Sequence, residues 1–169
     1  MGELVGQLLD LSRAENRESP MEPVDFSRVL AGEALALESL AFERGRTINS
    51  DIEPDIRVLG NPTQLTQLVS VLLDNAIRHA AGAEIAVSLR RQGRDAVLCV
   101  SNAGDEIPPE QLAHLFDRFY RVDEARGGEG HYGLGLSIAK AVAEKHGGAI
   151  SAESRAGQVS FTVTLPMKN

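Results

Sequence analysis

The stretch NPTQLTQLVSVLLDNAIRHAAGAEIAVSLRRQGRDAVLCVSNA, residues 61–103, runs from one long helix into a hairpin and so decides the fold class. Asn61 stands as an N-cap, Pro62 takes the first helical position, where no N–H is needed, and Gln64 takes the capping-box position. From there Leu65, Leu68, Val69, Leu72, Leu73, Ala76, Ile77 and Ala80 recur at helical spacing, predicting a helix to about His79 with one core face. Ile85, Val87 and Leu89 then alternate with polar or small residues, Gln92-Gly93 turns the chain, and Ala96 to Val100 is a continuous apolar run. That pattern predicts a hairpin whose second strand is central in its sheet.

Toward the N-terminus, short strands are expected at Thr47 to Ile52 and Ile56 to Leu59. A helix is expected from Phe26 to Arg44, with Phe26, Leu30, Ala34, Leu37 and Ala41 along one face. Toward the C-terminus, residues 103–132 are polar and irregular, with Gly104, Gly127, Gly128 and Gly130 and one short helix near Pro109 to Phe116. A connection this long inside a domain is usually functional or mobile. Gly133 to His146 reads as a helix closed by Gly147-Gly148. Strands at Ala149 to Glu153 and Val159 to Leu165, joined by a turn at Arg155-Ala156-Gly157, finish the pattern. Together these elements predict a two-layer α/β sandwich, a mixed and mainly antiparallel sheet packed on helices.

Met1 to Glu15 places Leu4, Val5, Leu8, Leu9 and Leu11 at helical spacing, and Asn16 to Pro23, with two prolines among polar residues, reads as a linker. Such a helix is expected to pack on a partner helix, and it starts as though a segment upstream belonged with it. Folding back on its own domain is the alternative. The 169 residues suit one domain. Lys plus Arg is 17 against 24 for Asp plus Glu, a charge of −7, which argues against nucleic acid or an anionic membrane surface as partner. A single cysteine, Cys99, excludes an internal disulfide framework and a multi-cysteine metal site, and suits the cytoplasm. No apolar run approaches the ~20 residues of a membrane span, so no direct membrane contact is expected of this chain.

Chemistry enters on the long helix. At ~100° per residue, Val71, Asn75, Arg78 and His79 form a second stripe at the edge of the core face, where a cleft would border the core. An Asn oxygen suits a hydrated metal and an Arg fork suits phosphate, although the same stripe also reads as solvated surface. Asn102 shares a face with Leu98 and Val100 by strand period, so its amide points inward and needs partners. Beside Ala103-Gly104 it also reads as a turn former. Gly133-Leu134-Gly135-Leu136 opens a helix after a glycine-rich loop, where free N–H groups suit a phosphate and where a plain turn gives the same pattern. The Walker pattern is absent, and the dinucleotide pattern Gly-x-Gly-x-x-Gly fails at Ile138.

The order of these pieces is specific. Leu72-Leu73-Asp74-Asn75-Ala76-Ile77-Arg78-His79, then Asn102-Ala103-Gly104-Asp105-Glu106-Ile107-Pro108, then Phe116-Asp117-Arg118-Phe119-Tyr120-Arg121, then Gly133-Leu134-Gly135-Leu136 resembles the catalytic ATP-binding domain of bacterial sensor histidine kinases. These segments are similar to its asparagine box, first glycine box, phenylalanine box and second glycine box. The resemblance covers about residues 22–166. The variant first glycine box and Phe-Asp-Arg-Phe-Tyr-Arg-Val-Asp are most similar to the heavy-metal sensor branch. Met1 to Glu15 resembles the end of the second helix of the dimerisation and phosphoacceptor hairpin, so the expected division is a helical remnant at 1–15, a linker at 16–23 and a catalytic domain at 24–169 with a lid at 105–132.

The resemblance implies a Bergerat-type sandwich, as in the gyrase and histidine-kinase ATPases, that holds ATP or ADP between its layers under a mobile lid. It implies that Asn75 ligates Mg2+, that Arg78 and His79 meet the phosphates and nucleoside, and that Asn102 replaces an Asp that accepts from the adenine amine. An Asn oxygen accepts that bond too. Gly104, Ile107 and Tyr120 join the nucleotide-binding set. Arg121 and Arg126 become the lid cations that contact phosphate and, with Asn75, the catalytic residues, while Phe116 and Phe119 anchor the lid. Gly133 and Gly135 hinge it, Leu134 completes the set and Leu136 lines the base pocket.

Three departures stand out from the family pattern. Val71 occupies the position one turn before Asn75 where a second Asn is common, and valine neither ligates magnesium nor activates water. Glu106 replaces the second glycine of the first box, and His131-Tyr132 precedes Gly133 where small residues are usual. The substrate is also absent: none of the histidines, at 79, 114, 131 and 146, lies in a His-Glu-Leu-Arg-Thr-Pro-like segment. The expected function is therefore the ATP-binding part of a protein histidine kinase, donating the γ-phosphoryl group to a histidine on a dimerisation domain outside this chain, for relay to a response regulator. The parent is expected to be a membrane-anchored homodimer. The alternatives are a degenerate nucleotide-sensing or partner-docking module without catalysis, and a serine kinase acting on an anti-sigma partner, against which the helix at 1–15 counts.

Overall fold

The hairpin register places inward side chains opposite one another. The structure, a computed structural model, describes residues 2–15, 20–120 and 134–168. β4 (Glu84–Gln92) and β5 (Asp95–Ala103) pair antiparallel around Gly93, whose φ of +63° is a conformation that lacks a steric penalty only without a Cβ. Ile85 faces Asn102, Val87 faces Val100 and Leu89 faces Leu98, and all six are buried. β2 (Thr47–Ile52) joins β4 in parallel, and β6 (Ala149–Arg155) and β7 (Gln158–Pro166) complete a five-stranded sheet in the order β2-β4-β5-β7-β6. β5 is central, as expected. Its continuous apolar run does not reflect cover on both faces, however, since Val97 and Cys99 are half-buried on the side away from the helices.

The second layer is helical. α2 (Phe26–Ala36), α4 (Pro62–His79) and α6 (Gly135–Lys145) pack side by side against the sheet, with α4 in the middle. Its face of Leu65, Leu68, Val69, Leu72, Leu73, Ala76 and Ile77 is buried. Asn61 caps it by accepting from the Gln64 N–H at 3.1 Å, but the capping box is only half formed. The Gln64 side chain turns away to donate to the carbonyl of Arg13 at 3.2 Å, and the Asn61 N–H donates instead to Nε2 of His146 at 3.1 Å.

Elsewhere the expected boundaries shift for identifiable reasons. The helix expected from Phe26 to Arg44 breaks at Leu37 into α2 and α3 (Glu38–Glu43), and the break seats Ala41 fully in the core while α3 runs along β2. Glu22 and Pro23, read as the end of a linker, belong to β1 (Glu22–Asp25), which pairs antiparallel with β3 (Arg57–Gly60). Proline is admissible there because this is a two-stranded edge arrangement. Residues 16–19 of the expected linker lie outside the described residues. The short helix near Pro109 is α5 (Pro109–Leu112), followed by turns.

α1 (Gly2–Glu15) folds back along α6, with Leu11 buried and Leu4 half-buried against the core, while Val5, Leu8 and Leu9 remain exposed. The alternative left open by its pattern is thus the one adopted by one edge of the helix, and the other edge is left without cover among the described residues.

Candidate functional site

The two glycine boxes approach opposite ends of the stretch of α4 that carries the asparagine box. Val71, Asn75 and Arg78 are half-buried along its edge and His79 is exposed at its end. At the Val71 end, a Cβ built on Gly135 would stand 3.5 Å from Cγ1 of Val71, so the start of α6 faces this end of the stripe. At the other end, a Cβ on Gly104 would lie 4.0 Å from the carbonyl of His79 and 3.4 Å from Nδ2 of Asn102. Val71 and His79 are eight residues apart, roughly 12 Å of helix. Asn75 lies at the midpoint, flanked by a glycine approach at each end.

The end of β5 is tied to the end of α4 by backbone. The carbonyl of Ala103 accepts from the Ala81 N–H at 2.8 Å and from Nδ2 of Asn102 at 2.8 Å. Asn102 is buried, 5% exposed, and points to the helix side as its strand period predicts. One of its two N–H donors is used internally, which orients the amide by placing Nδ2 toward Ala103. Gly104 donates to the carbonyl of Gly157 at 3.0 Å and abuts Val159, so a larger residue would press on Val159 and on the amide of Asn102. Ile107, half-buried, donates its N–H to Oγ of Ser154 at 2.8 Å, which fastens the first glycine box to β6.

Arg78 is oriented from its own helix. Its Nε lies 3.1 and 3.0 Å from the two oxygens of Asp74 one turn earlier, the favourable order for an acid and a base four apart. Asp74 was not among the residues expected at the site, although this spacing is visible in the sequence. Arg46 is the other unforeseen contributor: its guanidinium donates to the carbonyl of Ala80 and, at 2.7 Å, to that of Arg44. A cation on the last carbonyls of α4 complements the helix dipole and fixes the end that carries Arg78 and His79.

In the phenylalanine box, Phe116 packs edge-on to Phe161, ring centroids 6.2 Å apart, and its carbonyl accepts from Oγ of Ser137 on α6 at 3.0 Å. Phe116 is an anchor as expected. Phe119 is not: it is 56% exposed, at φ +65°, so its ring finds no place in the core. Tyr120 is half-buried beside the His114 ring at 5.7 Å. Leu134 is fully buried, and Leu136 is half-buried against the core. Arg121, Arg126 and Gly133, with His131, Tyr132 and the rest of the expected lid from residue 121 on, lie outside the described residues.

For a magnesium ion, the donor chemistry fits one protein ligand. Among the described residues no group of three or more His, Cys, Asp or Glu is arranged to hold a metal ion, and Asp74 is engaged with Arg78. A half-buried Asn oxygen agrees with the way magnesium keeps waters and phosphate oxygens as its remaining ligands. A cavity of about 680 Å³ lies elsewhere, lined by Leu11, Met21, Phe116, Arg118 and residues of α6. It contains none of the expected nucleotide residues, so volume alone does not locate this site.

Residues 60–169 match the family described as histidine kinase-, DNA gyrase B-, and HSP90-like ATPase. The chain belongs to that family. Its similarity to curated members is continuous: it is 37% identical to the sensor protein DltS of Streptococcus agalactiae over 97% of its own length. It is 35% identical to the sensor-like histidine kinase SenX3 of Mycobacterium tuberculosis over 98%. The chain spans 42% of the length of each of these relatives. In structure it superposes on the histidine kinase AdeS of Acinetobacter baumannii with a TM-score of 0.81 over 99% of this chain and 79% of that one, at 24% identity, a likeness of fold. The two-layer sandwich is therefore the ATP-binding fold of this ATPase family, and the resemblance carried by the four boxes holds.

Proposed function

We propose that the chain is the ATP-binding catalytic part of a sensor histidine kinase, which donates the γ-phosphoryl group of ATP to a histidine on a dimerisation domain and so feeds a response regulator. The observation that carries this reading is the approach of Gly135 to Val71 and of Gly104 to the carbonyl of His79, one on each side of Asn75 along α4, backed by the match to the ATPase family. Phosphoryl transfer asks little covalent chemistry of a protein and much positioning and charge neutralisation, which is what such an edge supplies.

In this reading the adenine lies toward Asn102, whose buried amide oxygen accepts from the exocyclic amine while Nδ2 stays on Ala103. Gly104 lets the base approach the backbone. Arg78, held in line by Asp74, offers its remaining N–H groups to phosphate oxygens, and the N–H groups at the start of α6 beyond Leu134 face the same charge. Arg121 and Arg126 add cations from the lid, and Gly133 and Gly135 let that segment swing. Asn75 would hold a magnesium ion that offsets phosphate charge. Val71 provides no base to activate water, which favours transfer to an incoming histidine over hydrolysis.

The partners in this reading are ATP and ADP, the parent's own phosphoacceptor domain and a response regulator, with the parent a membrane-anchored homodimer and this part in the cytoplasm. Among the described residues no helix is long and apolar enough to cross a membrane. Calorimetric titration with ATP, ADP and GTP, with and without magnesium, tests the reading. Adenine-selective, magnesium-enhanced binding is expected. Absence of binding at millimolar ATP would overturn it in favour of a docking module.

A further inference from the structure

His146 sits where α6 ends and α4 begins. It is 7% exposed, and both ring nitrogens are used: Nδ1 lies 2.7 Å from the carbonyl of Val142, and Nε2 lies 3.1 Å from the backbone nitrogen of Asn61. A carbonyl only accepts, so Nδ1 carries a proton, and a backbone N–H only donates, so Nε2 is bare. The ring is thus neutral in one defined tautomer. The chain makes room for it at Gly60, where a Cβ would stand 2.6 Å from Cδ2 and 2.8 Å from Nε2 of the ring. Asn61, in turn, is the residue whose side chain caps α4.

We propose that His146 is a positioning residue for the nucleotide site: its neutral ring joins the end of α6 to the cap of α4, seating the two helices whose facing stretches hold Gly135 and Asn75, and protonation of the ring releases that seating. This rests on the assignment of the site to α4 and α6. A protonated ring turns Nε2 into a donor aimed at the Asn61 N–H, two donors in contact inside a buried joint. The distance from Asn61 to Asn75 is fourteen residues, about 21 Å of continuous helix, so the effect on nucleotide travels through the body of α4.

The surroundings favour the neutral form. Burial lowers the affinity of His146 for a proton most, the bond to Val142 works against this, and the charge of Lys145 beside it lowers it further. On the elements packed against α6, the ionisable residues with described side chains are Asp10 and Arg13 on α1, Asp74, Arg78 and His79 on α4, and Glu153 and Arg155 on β6. Gly60 and Asn61, which touch the ring, carry no charge. Since the folded ring holds its proton less tightly than a free histidine, its contribution to stability is full above about pH 6.5 and is lost as pH falls through the folded value.

The test compares the chain with His146→Gln, which keeps a neutral acceptor, and His146→Ala, which removes it. ATP affinity of the wild type should fall roughly fivefold more than that of H146Q as pH is lowered from about 7.5 through the titration of the folded ring, located by NMR on the same chain, the equivalent of one neutral hydrogen bond. Contributions from His79 and from the nucleotide's own phosphates cancel in that comparison. H146A should bind weakly at both ends of that range, with H146Q restoring the affinity at the higher one. Nitrogen-15 NMR of the wild type should show the Nδ1-protonated tautomer at neutral pH, and urea unfolding should show stability falling with pH in the wild type more than in H146Q.

Identical pH profiles for wild type and H146Q, or the Nε2-protonated tautomer, would overturn the proposal. Absence of nucleotide binding at every pH would remove the assignment of the site and the positioning role with it. The NMR and unfolding results would then show separately whether the joint itself exists.

Discussion

Gly135 faces Val71 across two helices, so that a Cβ built on the glycine would stand 3.5 Å from a methyl of the valine. The second glycine box therefore faces the asparagine box at its apolar position, whose valine cannot bind a cation. Val71→Asn places an amide one turn before Asn75, on the same edge. The expected outcome is a rise in ATP affinity seen only with magnesium, at a stability cost of about 1 kcal/mol for an amide in a half-buried position. Titrations with and without magnesium check it, and a gain that is indifferent to magnesium would place Val71 away from the cation.

Asn75→Ala removes the single side chain on that edge suited to magnesium. Supplied with the phosphoacceptor hairpin and labelled ATP, the unaltered chain should label the hairpin histidine and remain unlabelled itself, because none of its own histidines has the acceptor context. The variant should transfer nothing measurable. Undiminished transfer by the variant, or strong labelling of the chain alone, would show that the phosphoryl chemistry has been given to the wrong residues.

Asn102→Ala should weaken ATP binding by ~1–3 kcal/mol, the scale of a buried hydrogen bond left unmade, and should erase the preference for ATP over GTP. The Asn102 amide also serves Ala103, so a small drop in melting temperature accompanies the loss. Unchanged affinity in calorimetry removes Asn102 from the site.

Nucleotide should slow hydrogen exchange across residues 105–132 more than anywhere else in the chain, with Arg121→Ala and Arg126→Ala each reducing that protection. Equal protection with and without ATP in mass-resolved exchange would count against a lid.

Features governed by neighbours within one helical turn or one strand period were legible in the sequence. Asn61 and Pro62 mark the start of α4, the alternation from Ile85 to Leu89 with the turn at Gln92-Gly93 and the apolar run after it sets the hairpin, and Asn102 points inward by period alone. What escaped is long-range. Glu22 and Pro23 look like linker because their strand is stabilised by residues 57–60, far along the chain. The half-made capping box is completed by His146, 85 residues away, and Arg46 reaches Ala80 across 34. Leu37 ends a helix with neither Gly nor Pro to announce it. For the site, the boxes located the residues, but only the folded chain shows that Gly104 and Gly135 bracket Asn75, since nothing in local spacing relates them.

The cap at Asn61 and the clasp of Arg46 on Ala80 hold α4 at both ends, and this constrains how its length can drift. One residue inserted between Asn61 and Val71 would turn Val71, Asn75 and Arg78 by ~100° about the helix axis, carrying Asn75 out of line with both glycines while the caps stay in place. Two turns, close to seven residues, are needed before the edge comes back into phase. Viable length variants of α4 should therefore differ by about a heptad, whereas the turn at Arg155–Gln158, facing no such phase requirement, can lengthen by single residues.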